Sequence, residues 1–356
     1  MSNKSILFTG GGTAGHVIVN LALIPVFQQE GWEIDYIGSK DGIEKKLIEQ
    51  VEGVTYHPIS TGKLRRYMSI ENVKDPFKVL KGTLQAWKII GKKKPAVIFS
   101  KGGFVSVPVV MAAKLRRTPA VIHESDYTPG LANKLSIPFT KKVLATFSET
   151  MQFLPERKAE YVGAVIRQEL FQGDKDTGLA LCGFDRSKPV LLVMGGSGGA
   201  QKINESIRES LPILLKSFQV IHICGEGKVD ITVEQTGYKQ FEYVQKELKD
   251  LLAATDFVVS RAGSNAIFEF LALRIPMLLI PLSRSASRGD QIVNANAFQE
   301  KRFARMLEEE NLTSETLVQE LHELKEYGEM MKDRMQTYKS EESLEQVVNI
   351  IKQVKK

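Results

Sequence analysis

Cysteine is nearly absent, with only Cys182 and Cys224 in the whole chain. The two form no C-x-x-C pair. That excludes a disulfide framework or a zinc cluster of the usual spacing, and it fits a reducing compartment. Long apolar runs are missing as well: no stretch approaches the ~18 to 20 apolar residues that a membrane-spanning helix needs. The first residues, MSNKSILFTGGG, enter a strand almost at once, so no signal peptide is expected. Charge of one sign is not in marked excess, since 48 Lys and Arg against 42 Asp and Glu leave a net +6. Such a mild excess suits an anionic partner without singling out nucleic acid. No RRM, KH or finger signature is present, so no nucleic-acid partner is expected.

What is present reads as a soluble α/β protein, with 43% hydrophobic and 25% charged residues. A chain of 356 residues is too long for one ordinary core, so two domains are expected. Buried β runs at KSILFTG, WEIDYIG, PAVIFSKGG, TPAVIHES and KKVLATF alternate with helical stretches. That order implies a parallel sheet covered by helices. Glycine and charge interrupt the pattern over residues 161–178, and it restarts at PVLLVMGGSGGAQKINESI. Further strands are expected at VIHICG, QFEYV, DFVVSRAGS and PMLLIPL. The fold class is therefore two doubly wound, Rossmann-like units. The expected bounds are 1–163 and 164–340, with a C-terminal helix over 341–356 packing back toward the first.

The loop FTGGGTAGHV holds a G-x-G-x-x-G at Gly10, Gly12 and Gly15. A dinucleotide site would add an acid at the end of the second strand. Asp35 instead lies inside EIDYIG, and the strand ends at Gly38-Ser39 without one. A nicotinamide is thus disfavoured and no cofactor is expected. SKGGF and GGSGGA also follow strands and precede helices. Their glycines let backbone N–H groups approach phosphates at a helix N-terminus. Two such loops in the first unit and one in the second suggest two phosphate-bearing substrates, although a tight turn without ligand stays open for any one loop. In a fourth loop, DFVVSRAGSNAIFE, Glu269 sits about one and a half helical turns past Ser264, where a carboxylate can accept from ribose hydroxyls. An ordinary acid near a helix start is the open alternative. Asp290 and Gln291 open another helix, as sugar-reading groups or, for Asp290, as a cap.

Taken together, GGGTAGHV, HESDYTPGLANK, GGSGGA, RAGSNAIFE and DQIVNA resemble, in order and spacing, the MurG family. That family transfers N-acetylglucosamine from UDP-N-acetylglucosamine to lipid I, giving lipid II for peptidoglycan. The resemblance spans nearly the whole chain and implies the GT-B plan of two facing Rossmann-like domains. It implies donor contacts at Thr13, Ala14, Gly15, Asp126, Arg167, Ser197, the backbone of Val244, Ser264, Asn265, Ala266, Ile267, Phe268, Glu269 and Gln291. Gly12, Gly102 and Gly103 are expected at the diphosphate of the acceptor, a polyprenyl-pyrophosphate-linked muramoyl peptide. His123, Asn133 and Asn204 also match polar family positions. The chain departs from the family pattern at Val19, Phe104, Val107, Asp126 and Ala164, mostly in the N-terminal half. A UDP-N-acetylglucosamine 2-epimerase, a paralogue with an altered acceptor and a non-catalytic nucleotide-sugar binder are the other readings open at this stage.

The family's reaction inverts the anomeric centre, so it needs a base for the acceptor hydroxyl and stabilisation of the departing diphosphate. His16 is the first candidate base and Glu124 the second. Asp174-Lys175-Asp176 matches an Asp-x-Asp by letters but lies in a polar linker, so no metal is expected. The segment VKDPFKVLKGTLQAWKIIGKKKP is expected to form a helix capped by Asp75, with Pro76 in its first turn. Phe77, Leu80, Leu84 and Trp87 make an apolar stripe on it. Lys78, Lys81 and Lys88 flank the stripe, Lys92, Lys93 and Lys94 follow, and Lys63, Arg65 and Arg66 precede it. The stripe either packs on the sheet or meets an anionic membrane surface. The expected location is peripheral, on the cytoplasmic face of the cell membrane.

Overall fold

The computed structural model describes residues 4–62, 70–196, 199–338 and 342–355. They fold as two units, Met1–Val165 with Ser340–Lys356, and Ile166–Lys339. In chain order the first runs β1 (Ser5–Thr9), α1 (Gly15–Gln29), β2 (Glu33–Ser39), α2 (Ile43–Ile48), β3 (Val54–Ile59), α3 (Ile70–Lys93), β4 (Val97–Ser100), α4 (Ser106–Leu115), β5 (Ala120–Glu124), α5 (Leu131–Ser136), β6 (Lys142–Ala145) and β7 (Ala159–Tyr161). The second runs α6 (Lys175–Cys182), β8 (Val190–Met194), α7 (Gln201–Ser217), β9 (Gln219–Ile223), β10 (Tyr238–Phe241), α8 (Leu248–Ala254), β11 (Phe257–Ser260), α9 (Ser264–Ala272), β12 (Met277–Leu279), α10 (Asp290–Glu300), β13 (Ala304–Met306) and α11 (Ser314–Met335). The last helix, α12 (Ser343–Val354), belongs to the first unit.

Strands buried on both faces read as unbroken apolar runs, and alternate residues serve opposite layers. In β1, Ile6 and Phe8 join Val17, Leu23 and Phe27 of α1 and Val347 and Ile351 of α12 in one layer. Leu7 faces the other layer, with Ala86 and Ile90 of α3 and Val109 and Ala113 of α4. The first sheet has the order β3-β2-β1-β4-β5-β6-β7 and the second β10-β9-β8-β11-β12-β13. All the pairings are parallel. The order reverses between β1 and β4 in one sheet and between β8 and β11 in the other. Ligands of doubly wound folds bind beyond the carboxyl ends of the strands at such a switch point. All four glycine-bearing loops emerge there.

Some expectations shift. β3 was not anticipated, because VTYHPI mixes polar residues with Pro58; as an edge strand it tolerates a residue without an N–H. β10 begins earlier, at Tyr238, and ends at Phe241, two residues into the expected QFEYV run, after which the chain turns toward α8. α3 begins at Ile70, so the backbone at Asp75 lies inside the helix and Pro76 stands in its second turn. SIENVK carries no breaker, so the helix starts ahead of Pro76, which there forgoes one intrahelical bond. Lys63, Arg65 and Arg66 fall outside the described residues, as does Ser197.

Candidate active site

At the first switch point the loop after β1 is folded onto the loop after β4. Gly103 has φ +80°, and a Cβ there would strike the carbonyl of Gly11 and stand 3.1 Å from His16 Nδ1. Only glycine permits this approach. His16 Nδ1 lies 3.0 Å from Gly11 O and 3.1 Å from Thr13 Oγ1. A carbonyl can only accept, so the first contact puts the ring proton on Nδ1 and leaves a lone pair on Nε2. The ring keeps part of its surface open to solvent, yet dense surrounding protein, then the Lys101 charge, lower its pKa from the usual 6.5 to about 4. The imidazole is therefore neutral throughout the neutral range.

Two buried charged residues nearby gave no signal in the sequence. The Glu44 carboxylate accepts from Gly12 N at 3.0 Å, Ser39 N at 2.9 Å and Ser39 Oγ at 2.5 Å. Burial pushes its pKa up, and those donors outweigh the push, leaving it below the usual carboxylate value. The ammonium of Lys101 donates to Ser125 Oγ. Each depends on a contact remote in sequence, which no local pattern announces.

Glu124 is buried and fully engaged. It accepts from Asp126 N at 3.0 Å, Gly130 N at 2.9 Å and Asn133 Nδ2 at 2.9 Å, fixing the loop that carries Asp126. Burial and the Asp126 charge raise its pKa against Lys101 and these donors. The expected phosphate donors are also engaged internally. Gly12 N–H serves Glu44, and Gly102 N–H donates to Ser100 Oγ at 3.3 Å. Gly102, at φ +95°, and Gly103 shape the backbone here rather than offering a row of free amides. His123 lies in the core, its pKa held well below 6.5 by burial and then Lys101. Ala14 caps α1 with no side-chain hydrogen bond. Asp35 pairs with His57 at 2.6 Å and Lys93 at 3.0 Å, which accounts for an acid inside β2.

At the second switch point, Glu269 of α9 meets Arg167 in a two-pronged pair, Nε–Oε1 at 2.9 Å and Nη2–Oε2 at 3.1 Å. The side chains are 18% and 8% exposed, so the pair is largely withdrawn from water. The sequence marked both residues without pairing them. α9 opens directly after Gly263, which presents the N–H groups of its first turn at Ser264. Ile267 and Phe268 differ from expectation. Both side chains are in the core, Phe268 against Phe298 at 5.1 Å, and Ile267 N–H bonds Gly263 O at 3.2 Å. Gln291 Oε1 accepts from Leu282 N at 3.0 Å, which orients its amide with the Nε2 donors outward from that contact. Val244, just past β10, makes no backbone hydrogen bond among the described residues. Asn204 is a core residue, donating to Cys224 O at 2.9 Å and accepting from His222 Nε2 at 3.0 Å.

Asp174 caps α6 by accepting from Thr177 N at 2.7 Å, and Asp176 pairs with Arg186 at 2.5 Å. α3 keeps two faces apart. Thr83, Ala86 and Ile90 are buried, whereas Phe77, Leu80, Leu84 and Trp87 are 72%, 60%, 57% and 38% exposed. Arg116 lies over Trp87 at 3.4 Å. The stripe therefore does not pack on the sheet. Among the described residues, no helix is long and apolar enough to cross a membrane.

A family model described as the glycosyltransferase family 28 N-terminal domain matches residues 6–145. A second, the glycosyltransferase family 28 C-terminal domain, matches residues 190–354. The chain is 68% identical over 355 residues to the UDP-N-acetylglucosamine--N-acetylmuramyl-(pentapeptide) pyrophosphoryl-undecaprenol N-acetylglucosamine transferase of Oceanobacillus iheyensis, covering 100% of this chain and 99% of that one. It is 56% identical over 349 residues to a protein of the same name from Geobacillus thermodenitrificans, over 98% of each. Among solved structures, MurG of Acinetobacter baumannii superposes with a TM-score of 0.76 at 23% identity, over 98% of this chain and 99% of that one. That likeness is one of fold.

Proposed function

The chain belongs to glycosyltransferase family 28, and from that premise we propose that it transfers N-acetylglucosamine from UDP-N-acetylglucosamine to the muramoyl sugar of a pyrophosphoryl-undecaprenol-linked peptide. The observation that carries the reading is the set of groups at the carboxyl ends of the second sheet. There a paired acid, an oriented amide, a helix N-terminus and an unspent backbone segment offer the kinds of contact that a nucleotide sugar takes. The Val244 backbone suits a pyrimidine edge. Two lone pairs of Glu269 remain after Arg167 is served, enough for two ribose hydroxyls. The first turn of α9 suits the diphosphate, and Gln291 Nε2 suits a sugar hydroxyl.

In the reaction the muramoyl C4 oxygen attacks the anomeric carbon as the bond to the UDP oxygen breaks, inverting the centre. UDP leaves with the electron pair, and the hydroxyl proton passes to His16 Nε2 and then to water. Nδ1–H bonding to Gly11 holds the ring for that transfer. A resting pKa of about 4 makes a weak base; the negative charge of a bound anionic substrate raises it. Glu124 holds the 126–130 loop, and its bound lone pairs argue against its acting as the base.

The exposed stripe of α3, with Lys81, Lys88 and Lys92 at its flanks, suits the interface of an anionic membrane that carries the lipid acceptor. On this reading the enzyme is peripheral, on the cytoplasmic face. The test is incubation with UDP-N-acetylglucosamine and a lipid I analogue. Lipid-dependent UDP release with formation of the disaccharide is expected. Turnover of the nucleotide sugar without acceptor, or an epimerised product, would defeat the proposal.

A further inference from the structure

Arg261 opens the RAGSNAIFE run, yet none of the donor contacts above falls to it. Its side chain is 8% exposed, and its guanidinium reaches across to the segment that leaves β12. Nη1 donates to Ile280 O at 3.1 Å and to Pro281 O at 3.2 Å. Nη2 pairs with the carboxylate of Glu309, which opens the short helical turn Glu309–Asn311 after β13 and is itself 14% exposed. The other carboxylate oxygen accepts from Ser283 N at 3.3 Å, and Lys202 of α7 holds the turn by donating to Glu309 O. Between these grips lies Leu282, whose N–H orients the Gln291 amide. Pairing with β11 stops just before it: Ile280 N still bonds Ser260 O at 2.8 Å, but Pro281 has no N–H with which to continue. One buried ion pair therefore fixes the residues on either side of Leu282 where the strand ladder has ended. Desolvation offsets much of the attraction in such a pair, so it is better suited to fixing a geometry than to strengthening the fold.

We infer that Glu309, acting through Arg261 and Ser283, is a positioning residue for Gln291. It holds the Leu282 N–H in the place that turns Gln291 Nε2 toward the donor sugar, and so sets how far the nucleotide sugar is preferred over the bare nucleotide. The inference rests on the reading of Gln291 as the sugar-binding amide. Without the carboxylate, Arg261 keeps its two carbonyls, but Ser283 N–H is released and the amide is free to turn with Leu282.

The test measures dissociation constants of UDP and of UDP-N-acetylglucosamine by calorimetry, below the melting transition, in wild type, Glu309→Ala, Gln291→Ala and the double variant. UDP affinity is expected to stay within about twofold in each, while affinity for the nucleotide sugar relative to UDP falls about three- to tenfold in Glu309→Ala, the range of one lost hydrogen bond. The double variant should fall no further than Gln291→Ala alone, because both changes remove the same contact. Glu309→Gln keeps an oxygen within reach of Arg261, so it should lie between alanine and wild type, and it serves in place of an alanine variant that does not fold. Equal losses for UDP and the nucleotide sugar in either Glu309 variant would mark the pair as purely structural and overturn the inference. So would a double variant whose loss is the product of the two single losses. If Gln291→Ala leaves the relative affinity unchanged, the sugar-binding reading of Gln291 fails and the inference falls with it. If Gln291→Ala lowers it and Glu309→Ala does not, the inference alone fails.

Discussion

Replacing Glu269 by alanine should affect stability and donor binding together. The Arg167–Glu269 pair is two-pronged, with side chains 18% and 8% exposed. Breaking a fully buried pair costs about 3–5 kcal/mol, largely because the surviving charge is stranded. Arg167 keeps some access to water, so a loss near the lower end, about 3 kcal/mol, is expected. At about 2–4 °C per kcal/mol for a unit of this size, melting falls by roughly 6–12 °C. UDP affinity, by calorimetry below the new transition, should weaken by about 1.5–3 kcal/mol, roughly ten- to hundredfold. The double change Arg167→Ala with Glu269→Ala separates the effects. With no stranded charge it should recover part of the lost stability and none of the lost affinity. Unchanged UDP binding in the single variant would refute the ribose role of Glu269. A melting point that stays put would refute the account of the pair as withdrawn from water.

Three further outcomes are expected. His222, buried beside Arg208 and bonded to Tyr238 at 2.8 Å, has its pKa lowered from 6.5 to about 3, chiefly by burial. Its contribution is complete above pH 6.5 and is lost as pH falls toward 3, at up to about 1.4 kcal/mol per pH unit, so urea midpoints should drop across that window and less steeply in His222→Gln. Gly103→Ala must keep φ +80° and drive a methyl into the Gly11 carbonyl; initial-rate assays should show turnover at least roughly tenfold lower, from a displaced His16, with UDP affinity unchanged. Joint change of Phe77, Leu80 and Leu84 to serine should leave stability within about 1.5 kcal/mol, since the side chains are exposed, and abolish co-sedimentation with anionic vesicles at low salt.

The glycine loops were legible because tight strand-to-helix turns and close backbone approach need that residue wherever they occur, and the parallel topology then gathered them at two switch points. The spacing of Phe77, Leu80, Leu84 and Trp87 gave a helix, but not which face it buries. The inward face is built from Thr83, Ala86 and Ile90 with Gly82 close to Ser60, and small residues leave a weak hydrophobic signal. Pro58 concealed an edge strand. Lys101 and Glu44 escaped notice for a different reason. A buried charge is defined by partners that the fold brings from far along the chain, and the amides that Glu44 and Glu124 occupy are visible only once those partners are in place.

The seating of α12 has a consequence for the order in which the protein is made. Val347, Val348, Ile350 and Ile351 fill the layer that α1 lays over the first sheet, and Lys352 reaches Glu30 at 2.5 Å. The first unit thus takes its final helix from beyond residue 340, with the whole second unit translated in between. While the ribosome is still reading the second unit, Val17, Leu23, Phe27 and Trp32 have no cover from that side. Nascent chains stalled before residue 343 should therefore bind chaperones and be cut readily by protease in their first 165 residues, and release of the last helix should end both.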